Sequence, residues 1–380
     1  MEAPMYVKRF SERPTNPKEL IKWKNEKKAR KRKLKEEKLL AQMKKKKEEE
    51  QAEETQNMKL VEEEQTQKIK GRPYTVSIAV PGSILDNALT PELRTYLAGQ
   101  IARAAAVFNV DEIIVFDESG YTEKSTDGEF KGIGKHGHGN VQLARILQYL
   151  ECPQYLRKVF FPQHKDLQYA GLLNPLYCPH HMRAEEQTPY REGVVLNKPP
   201  KEGRGSFVNV GLLKDCQIDK HLKAGLRVTV KMDNSTWDRK NVKGVVVPPS
   251  QPRTHQGLYW GYTVRLANSL GTVFTECPYK EMYDLTIGTS DTGKSVDEFE
   301  APTKEFRHVL IVFGGMHGLS ASLECDETLD MDDPSLLFQH YLNTCPGQGS
   351  STIRTEEAIL ITMSALRQKL FSRPKANDDT

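Results

Sequence analysis

The chain has 380 residues and a formal net charge of +4, and 37% of its residues are hydrophobic. Residues 1–70 carry 21 Lys and Arg against 14 Asp and Glu, so the rest of the chain is slightly acidic. This length and charge distribution predict two folded domains and a charged tail, and they exclude nucleic-acid binding through the bulk charge of the body.

The chain shows no sign of a membrane span or of a disulfide framework. It contains no run of about 18 apolar residues, so no membrane span is expected. Its six cysteines include no Cys-x-x-Cys pair, which predicts reduced thiols in the nucleus or cytosol.

The tail, residues 1–70, is basic from Lys8 to Lys47 and mostly acidic from Glu48 to Glu64. Such a composition cannot bury a core, so it predicts disorder or a solvated single helix. Two functions are open, a nuclear-targeting or RNA-contacting arm and a solubilising tail, and the dense basic runs favour the arm. Residues 373–380 form a second, short tail.

Residues 71–187 predict the first part of an α/β domain. Residues 74–80 alternate apolar and small side chains, as a strand does, and residues 112–116 predict a second strand that is apolar after Glu112. Between them, Thr90 and Pro91 open a helix as N-cap and first helical residue. This strand, helix and strand predict a parallel sheet.

Residues 132–139 contain the spacing G-x-G-x-x-G, which in a nucleotide-binding domain follows a strand directly. Here the polar residues 119–131 precede it, so the segment is predicted to be a mobile loop and no dinucleotide site. A helix over residues 141–150 follows.

Residues 188–258 predict an inserted small β-barrel of the OB type. Four short strand patterns separated by turns support it, at residues 193–196, 207–210, 226–231 and 243–247. Such barrels often bind single-stranded nucleic acid through basic and aromatic side chains. Here these would be Arg227, Lys231, Trp237, Arg239, Lys240 and Lys243. A purely structural insertion is the open alternative.

The α/β pattern returns over residues 259–372, so the sheet domain is predicted to be discontinuous. Three polar loops with glycines follow apolar segments there, at residues 288–293, 314–318 and 343–355. Because ligands of parallel sheets bind outside the carboxyl ends of the strands, the loops predict one small-molecule site. The last loop leads into a helix with Thr355 as N-cap and a buried stripe of Ile359, Met363 and Leu366.

At residues 81–87, 259–265 and 343–358 the sequence resembles the SPOUT superfamily of S-adenosylmethionine-dependent RNA methyltransferases. The resemblance covers residues 71–372 and is close to a kinetochore-associated metazoan member with an OB-like insertion. It implies an α/β fold with a C-terminal trefoil knot within residues 284–366 and a homodimer whose substrate cleft spans both protomers. It also implies a nuclear, nucleolar and cytoplasmic protein that reaches the kinetochore, spindle and centrosome in mitosis.

The resemblance further implies that S-adenosyl-L-methionine binds in a bent form to the three loops. Carried over to this sequence, the contacts are Thr289, Ser290, Gly314, Gly315, Gly318, Leu319, Asn343, Thr344, Pro346, Gln348, Ile353 and Thr355. Backbone amides would read the adenine edge, while Ile353 and Leu319 would flank the ring. For any single glycine, a plain turn is the alternative.

Arg354 is the predicted catalytic residue, because residues 353–356 resemble the Arg-Thr-Glu segment of bacterial SPOUT enzymes that methylate uridine N3. Uridine N3 becomes nucleophilic only as its proton leaves, so a cation that stabilises the developing imide anion lowers the barrier. Arg354 would supply that charge or hold an RNA phosphate. The alternative is an ordinary surface arginine.

The sequence thus predicts a homodimeric methyltransferase acting on uridine N3 of large-subunit ribosomal RNA. A mitotic scaffold whose cofactor site is structural is the alternative, with kinetochore or spindle proteins as partners. No metal partner is expected, since residues 178–181, Cys-Pro-His-His, lack a second ligand pair. No membrane partner is expected either, because the sequence has no apolar run long enough to span one. Cys345 lies in the cofactor loop, but N-methylation needs no covalent role for it.

Overall fold

The computed structural model describes residues 71–118, 138–199, 205–237, 242–300, 302 and 305–371. The predictions made for the tail at residues 1–70, for the glycine-rich segment before His138 and for residues 373–380 lie outside this part of the chain. So do those for Arg239 and Lys240.

The described residues contain eleven strands, β1 to β11 along the chain, and six of them form a parallel sheet. These are β1 (Thr75–Pro81), β2 (Glu112–Phe116), β8 (Thr263–Ala267), β9 (Leu285–Ser295), β10 (His308–Val312) and β11 (His340–Asn343). Their order is β11-β9-β10-β1-β2-β8, and each neighbouring pair runs parallel, as the sequence predicts. The sheet therefore places β1 beside β10, far from it in sequence.

Seven α-helices, α1 to α7, are present in the described residues. They are α1 (Pro91–Val107), α2 (His138–Glu151), α3 (Gln154–Phe160), α4 (Gln251–Gln256), α5 (Leu270–Thr275), α6 (Gly318–Glu324) and α7 (Thr355–Leu370). Helix α1 begins as predicted, because the Thr90 hydroxyl accepts the Leu93 N–H and Pro91 is the first helical residue. None of the described helices has the length and apolar character needed to cross a membrane.

The sheet is covered on both faces, since every residue of β1 is buried. Ile78 belongs to a core cluster with residues of α1, α2 and α7, whereas its neighbour Ala79 belongs to a second cluster with α5 and α6. The predicted stripe of Ile359, Met363 and Leu366 is fully buried in the first cluster. Alternation along the strands therefore fixes which helices pack on which face.

Five further strands close into a small barrel between α3 and α4. They are β3 (Tyr190–Val195), β4 (Phe207–Asn209), β5 (Cys216–Gln217), β6 (Arg227–Met232) and β7 (Val242–Val247), in the order β3-β4-β5-β7-β6. Four of them match the predicted strands to within a few residues, whereas β5 has only two residues and no alternating pattern. Val208, Cys216 and Val230 fill the barrel interior. The predicted bounds of 188–258 and the OB type stay predictions.

An ion-pair network joins the barrel to helix α2. Arg227 of β6 donates to both carboxylate oxygens of Glu151, at 2.7 and 2.9 Å, and to Glu192 of β3 at 2.8 Å. Glu192 also accepts from Thr229 and from the indole N–H of Trp260. The Arg227 guanidinium is held by two buried carboxylates, while the residue itself is exposed, so its contact with nucleic acid stays a prediction.

Two histidines complete the junction at the end of α2. The Nε2 atoms of His180 and His181 lie 2.9 and 2.7 Å from the backbone carbonyl oxygen of Glu151. The segment from Cys178 thus packs against the end of a helix, whose last carbonyls need donors. Among the described residues, no group of three or more His, Cys, Asp or Glu could hold a metal ion.

Candidate active site

The first predicted loop is an excursion from strand β9. The register of β9 with β11 passes from Gly288 opposite Tyr341 to Lys294 opposite Leu342, so residues 289–293 leave the ladder. Residues 288–293 were predicted to be a loop after the strand, yet the strand continues to Ser295 because pairing resumes at Lys294. Gly293 is required there, since a Cβ atom would lie 2.6 Å from the Leu342 carbonyl carbon.

Hydrogen bonds connect this excursion to the ends of β10 and β11. The Thr289 hydroxyl donates to the Val312 carbonyl at 3.0 Å, and the Asn343 amide donates to the Asp291 carbonyl at 2.8 Å. The Asn343 side-chain oxygen in turn accepts the Cys345 N–H at 3.0 Å. Ser290 lies 3.0 Å from the Thr292 hydroxyl, within the excursion. The structure therefore brings these predicted contacts together at one edge of the sheet.

The second loop is a tight glycine turn between β10 and α6. The Gly318 N–H donates to the Gly315 carbonyl at 3.1 Å, and Gly318 has a φ of +73°. A Cβ atom on Gly314 would lie 2.7 Å from the Gly318 carbonyl carbon, so only glycine fits there. Leu319 is 1% exposed in the second core cluster, where it supports the turn.

The third loop is fixed at both ends and exposed in its middle. At one end Thr344 lies 2.8 Å from the Thr362 hydroxyl, and at the other the Thr355 hydroxyl donates to the Gly314 carbonyl at 3.1 Å. Between them Pro346 is exposed, Ile353 is half-buried, and the Gln348 amide donates to the Ser350 carbonyl at 3.0 Å. The second and third loops are thereby held against each other.

Helix α7 begins at Thr355, and its N-cap is Arg354 rather than Thr355 as predicted. The Thr355 hydroxyl bonds the Gly314 carbonyl, so it does not serve as the cap. Instead, the backbone N–H of Arg354 donates to the Glu357 carboxylate at 3.1 Å. The Arg354 side chain is exposed beside the third loop.

Glu118 is a candidate residue that the sequence reasoning missed. It follows β2 and accepts hydrogen bonds from Ser83, beyond the end of β1, and from Ser322 of α6 at 3.0 Å. A Cβ atom on Gly315 would lie 2.6 Å from a Glu118 carboxylate oxygen, so Glu118 touches the glycine turn. A carboxylate shortly after a buried parallel strand was the available signal.

The three loops fit a ligand such as S-adenosylmethionine. The loops carry hydroxyls, amides and backbone N–H groups. A Cβ atom added to Gly347 or Gly349 would meet nothing within 4 Å, so there is open space beside both residues. Glycines let a ligand approach the backbone closely, and half-buried Ile353 offers an apolar surface for a ring. The individual contact roles stay predictions.

The fold is that of an α/β protein, and the three loops form a candidate small-molecule site at the carboxyl ends of its parallel sheet. Residues 75–366 match the model of a family described as "Putative RNA methyltransferase". The chain therefore belongs to this family.

Relatives of known name are similar over most of the chain. The 28S rRNA (uridine-N(3))-methyltransferase of Homo sapiens is 58% identical over 322 residues, which are 84% of this chain and 85% of that protein. The Drosophila melanogaster protein of the same name is 53% identical and covers 83% of this chain and 66% of its own. The solved SpoU methyltransferase AviRb from Streptomyces viridochromogenes, in complex with AdoMet, is 12% identical. It has a TM-score of 0.29 and covers 81% of this chain and 63% of its own.

Proposed function

We propose that the protein methylates N3 of a uridine in 28S ribosomal RNA, with S-adenosyl-L-methionine as the methyl donor. The observation that carries the proposal is the 53–59% identity, over at least 80% of this chain, to three proteins named 28S rRNA (uridine-N(3))-methyltransferase. All three loops lie within residues 75–366, which match the RNA methyltransferase family.

S-adenosylmethionine, when bound, supplies an electrophilic methyl group on a sulfonium centre. Gly318 has open space where a Cβ atom would be, so a ligand can approach the backbone there, and Thr289 and Ser290 of the first loop carry hydroxyl groups. Asn343 and Thr344 hold the third loop in place through their bonds to Asp291 and Thr362. These residues bind and orient the donor.

Arg354 acts on the acceptor base. The N3–methyl bond forms as the methyl–sulfur bond breaks, and the N3 proton leaves to solvent or to a base. The departing proton places negative charge on the imide, which an exposed guanidinium at the start of α7 stabilises. A planar guanidinium also suits the imide oxygens that flank N3.

The test is to map N3-methyluridine in 28S ribosomal RNA by mass spectrometry, in cells with and without the protein. We expect one uridine to lose its methyl group without the protein and to regain it when the wild-type chain is restored. An unchanged N3-methyluridine pattern would exclude ribosomal uridine N3 as the substrate.

We also propose that the protein is a homodimer. The SPOUT resemblance supports this, and so do exposed apolar side chains at the start of α1, where Leu89 is 94%, Leu93 52% and Tyr96 47% exposed. Leu360, 45% exposed, lies on α7, which packs against α1. Sedimentation equilibrium should give twice the chain mass, and Leu93→Glu should shift the protein towards monomer. A monomeric wild-type protein at micromolar concentration contradicts the proposal.

The trefoil knot within residues 284–366 is a further proposal. The SPOUT resemblance supports it, together with the contact between Thr355 and the Gly314 turn and the order β11-β9-β10. A crystal structure with S-adenosylhomocysteine would trace this path, and an unthreaded chain would contradict the knot.

A mitotic role, with kinetochore or spindle proteins as partners, is the second candidate function. The resemblance and the dense basic residues of the tail support this role. They also support the proposal that the protein is located in the nucleus, nucleolus and cytoplasm, and on the kinetochore, spindle and centrosome in mitosis. In cells depleted of the protein, an Arg354→Ala chain separates the roles. Normal spindles would indicate a scaffold, whereas failure with normal protein levels would indicate catalysis.

A further inference from the structure

A cleft of about 610 Å³ lies beside helix α2, outside the site described above. Tyr149 of α2, Phe161 after α3 and the segment that follows form its walls. The polar side chains along it are Gln163, His164, Lys165 and Gln168. Its volume is within the range of small-molecule sites and is ample for a nucleobase.

Two aromatic rings form a fixed corner of this cleft. The ring centroids of Tyr149 and Phe161 are 5.6 Å apart and nearly perpendicular, at 85°. The Arg157 guanidinium covers the Tyr149 ring at 4.4 Å and is itself held by the carbonyls of Cys152 and Leu150, at 2.9 and 3.2 Å. Contacts within the protein therefore fix the position of both rings, and the Arg157 cation lies against the Tyr149 ring.

Lys165 gives the lining of the cleft a positive charge, while Glu92 hydrogen-bonds Tyr169 beside it. Lys165 lines the cleft and Lys158 lies close to it in sequence, and both are exposed, as is His164. Asp166 follows Lys165, yet its side chain is 2% exposed and is paired with Arg145 of α2. Among the described residues that line the cleft, none is acidic, so the cleft suits a negatively charged ligand.

Helix α2 connects this cleft to the candidate active site. At its start, a Cβ atom on Gly139 would lie 3.0 Å from the Gly82 carbonyl oxygen, just beyond the end of β1. Arg145 and Tyr149 come seven and eleven residues after His138, about 10 and 16 Å along the helix. Tyr149 of the cleft therefore lies about 16 Å along α2 from the end of the helix that packs beside β1.

We propose that this cleft binds a nucleotide of the single-stranded RNA substrate outside the reacting uridine; this inference rests on the proposed function. A base stacks in the corner formed by Tyr149 and Phe161, and the amides of Gln163 and Gln168 bond its edge. Lys165 neutralises the adjoining phosphate. Stacking platforms combined with basic residues bind single-stranded RNA in this way.

The experiment measures the affinity of the full-length protein for a fluorescein-labelled single-stranded RNA of 20 uridines, by fluorescence anisotropy at several salt concentrations. Phe161→Leu, which keeps an apolar side chain but removes the stacking face, should weaken binding about tenfold. Lys165→Ala should weaken binding and lower the slope of log affinity against log salt by about 1. The matched control is Lys280→Ala, an equally exposed lysine just before β9, which should bind as wild type.

Two further measurements keep this proposal separate from the proposed function. Calorimetry with S-adenosylmethionine should give the wild-type affinity for Phe161→Leu and Lys165→Ala, because neither residue belongs to the three loops. If both variants bind RNA as wild type does while the wild-type chain forms N3-methyluridine, the cleft proposal is wrong and the activity stands. If a duplex RNA competes as well as the single strand, the stacking site is also wrong. Loss of RNA affinity in a chain that forms no N3-methyluridine would support the cleft and contradict the activity.

Discussion

Gly314 has no room for a side chain, because the Gly318 backbone lies within 2.8 Å of where its Cβ atom would be. Gly314→Ala must therefore shift the glycine turn, at a cost of about 1 to 3 kcal/mol. We expect this variant to bind S-adenosylmethionine at least about tenfold more weakly, as measured by calorimetry.

The matched control is Gly171→Ala, outside the three loops, where an added Cβ atom would meet nothing within 4 Å. It should keep the wild-type affinity and thermal stability. Equal affinities for the two variants would show that the glycine turn does not form the donor site.

Arg354 is exposed beside the third loop, so its removal should leave the fold unchanged. If its charge stabilises the imide anion, Arg354→Ala should lower kcat about 10²- to 10³-fold and leave the KM for S-adenosylmethionine nearly unchanged. Arg354→Lys should recover part of the rate.

Arg367→Ala provides a control, since this arginine is exposed near the other end of α7. Steady-state kinetics on a ribosomal RNA fragment measure the difference. A KM effect without a kcat effect would assign Arg354 to RNA binding instead of catalysis.

Single residues were predictable from the sequence only where a local pattern identified them. The cap at Thr90 followed from its place before Pro91, whereas Thr355 looked equally suitable and instead bonds the Gly314 carbonyl. Nothing near Arg227 in sequence reveals Glu151, 76 positions away, and Glu118 carried no motif. In these cases the role of the residue depends on contacts with residues that are distant in the sequence.

At the scale of elements, Arg227 of β6 joins two elements: it bonds Glu192 of β3 within the barrel and Glu151 of α2 outside it. Glu151 and Glu192 have side chains that are only 8% and 4% exposed, so removing their shared cation leaves two buried carboxylates uncompensated. Arg227→Ala should lower the free energy of unfolding by about 3 kcal/mol, as measured with urea.

Lys231→Ala is the control on the same strand, because Lys231 is exposed. It should change stability by less than about 0.5 kcal/mol. A loss as small as this for Arg227→Ala would mean that water enters the junction and solvates both carboxylates.

The strands were predictable where burial on both faces leaves an unbroken apolar run. Residues 113–116 are such a run, and β2 comprises these residues and Glu112. The excursion at residues 289–293 was seen only as a loop, because register with a distant strand is not written in local sequence. The two-residue β5 was missed since it is too short to alternate.

For the whole molecule, acid should be destabilising because of the junction at the end of α2. Burial, aided by the charge of His180, lowers the pKa of His181 to about 4 from an ordinary 6.5. Between these values the unfolded chain binds more protons, so stability falls as pH drops through this window, by about 2 kcal/mol at pH 5. Urea unfolding at pH 7.5 and 5 measures the loss.

Glu151 should extend this loss at lower pH. Burial alone would raise its pKa, but the hydrogen bonds from His180 and Arg227 outweigh burial and lower the pKa to about 2 from 4.5. Its contribution is present above pH 4.5 and is lost as the pH falls towards 2. His181→Gln should flatten the loss between pH 6.5 and 4, whereas His221→Gln, at an exposed site, should not. Equal pH profiles for both variants would assign the acid sensitivity to other groups.

The discontinuous sheet domain was predictable, because the strand and helix patterns stop near residue 188 and resume near residue 259. The order of the strands was not predictable, because no local pattern indicates that β1 lies between β2 and β10. The knot was suggested by the family resemblance alone, as neither composition nor periodicity indicates threading.

The central position of β1 has a consequence for synthesis on the ribosome. Thr75 pairs with His308, which is added 233 residues later, so one edge of β1 stays open while most of the chain is made. Such long-range pairing folds slowly, and an open strand edge invites aggregation. We therefore expect chaperones to protect the nascent chain, and the proposed donor site cannot form until helix α7 has left the exit tunnel.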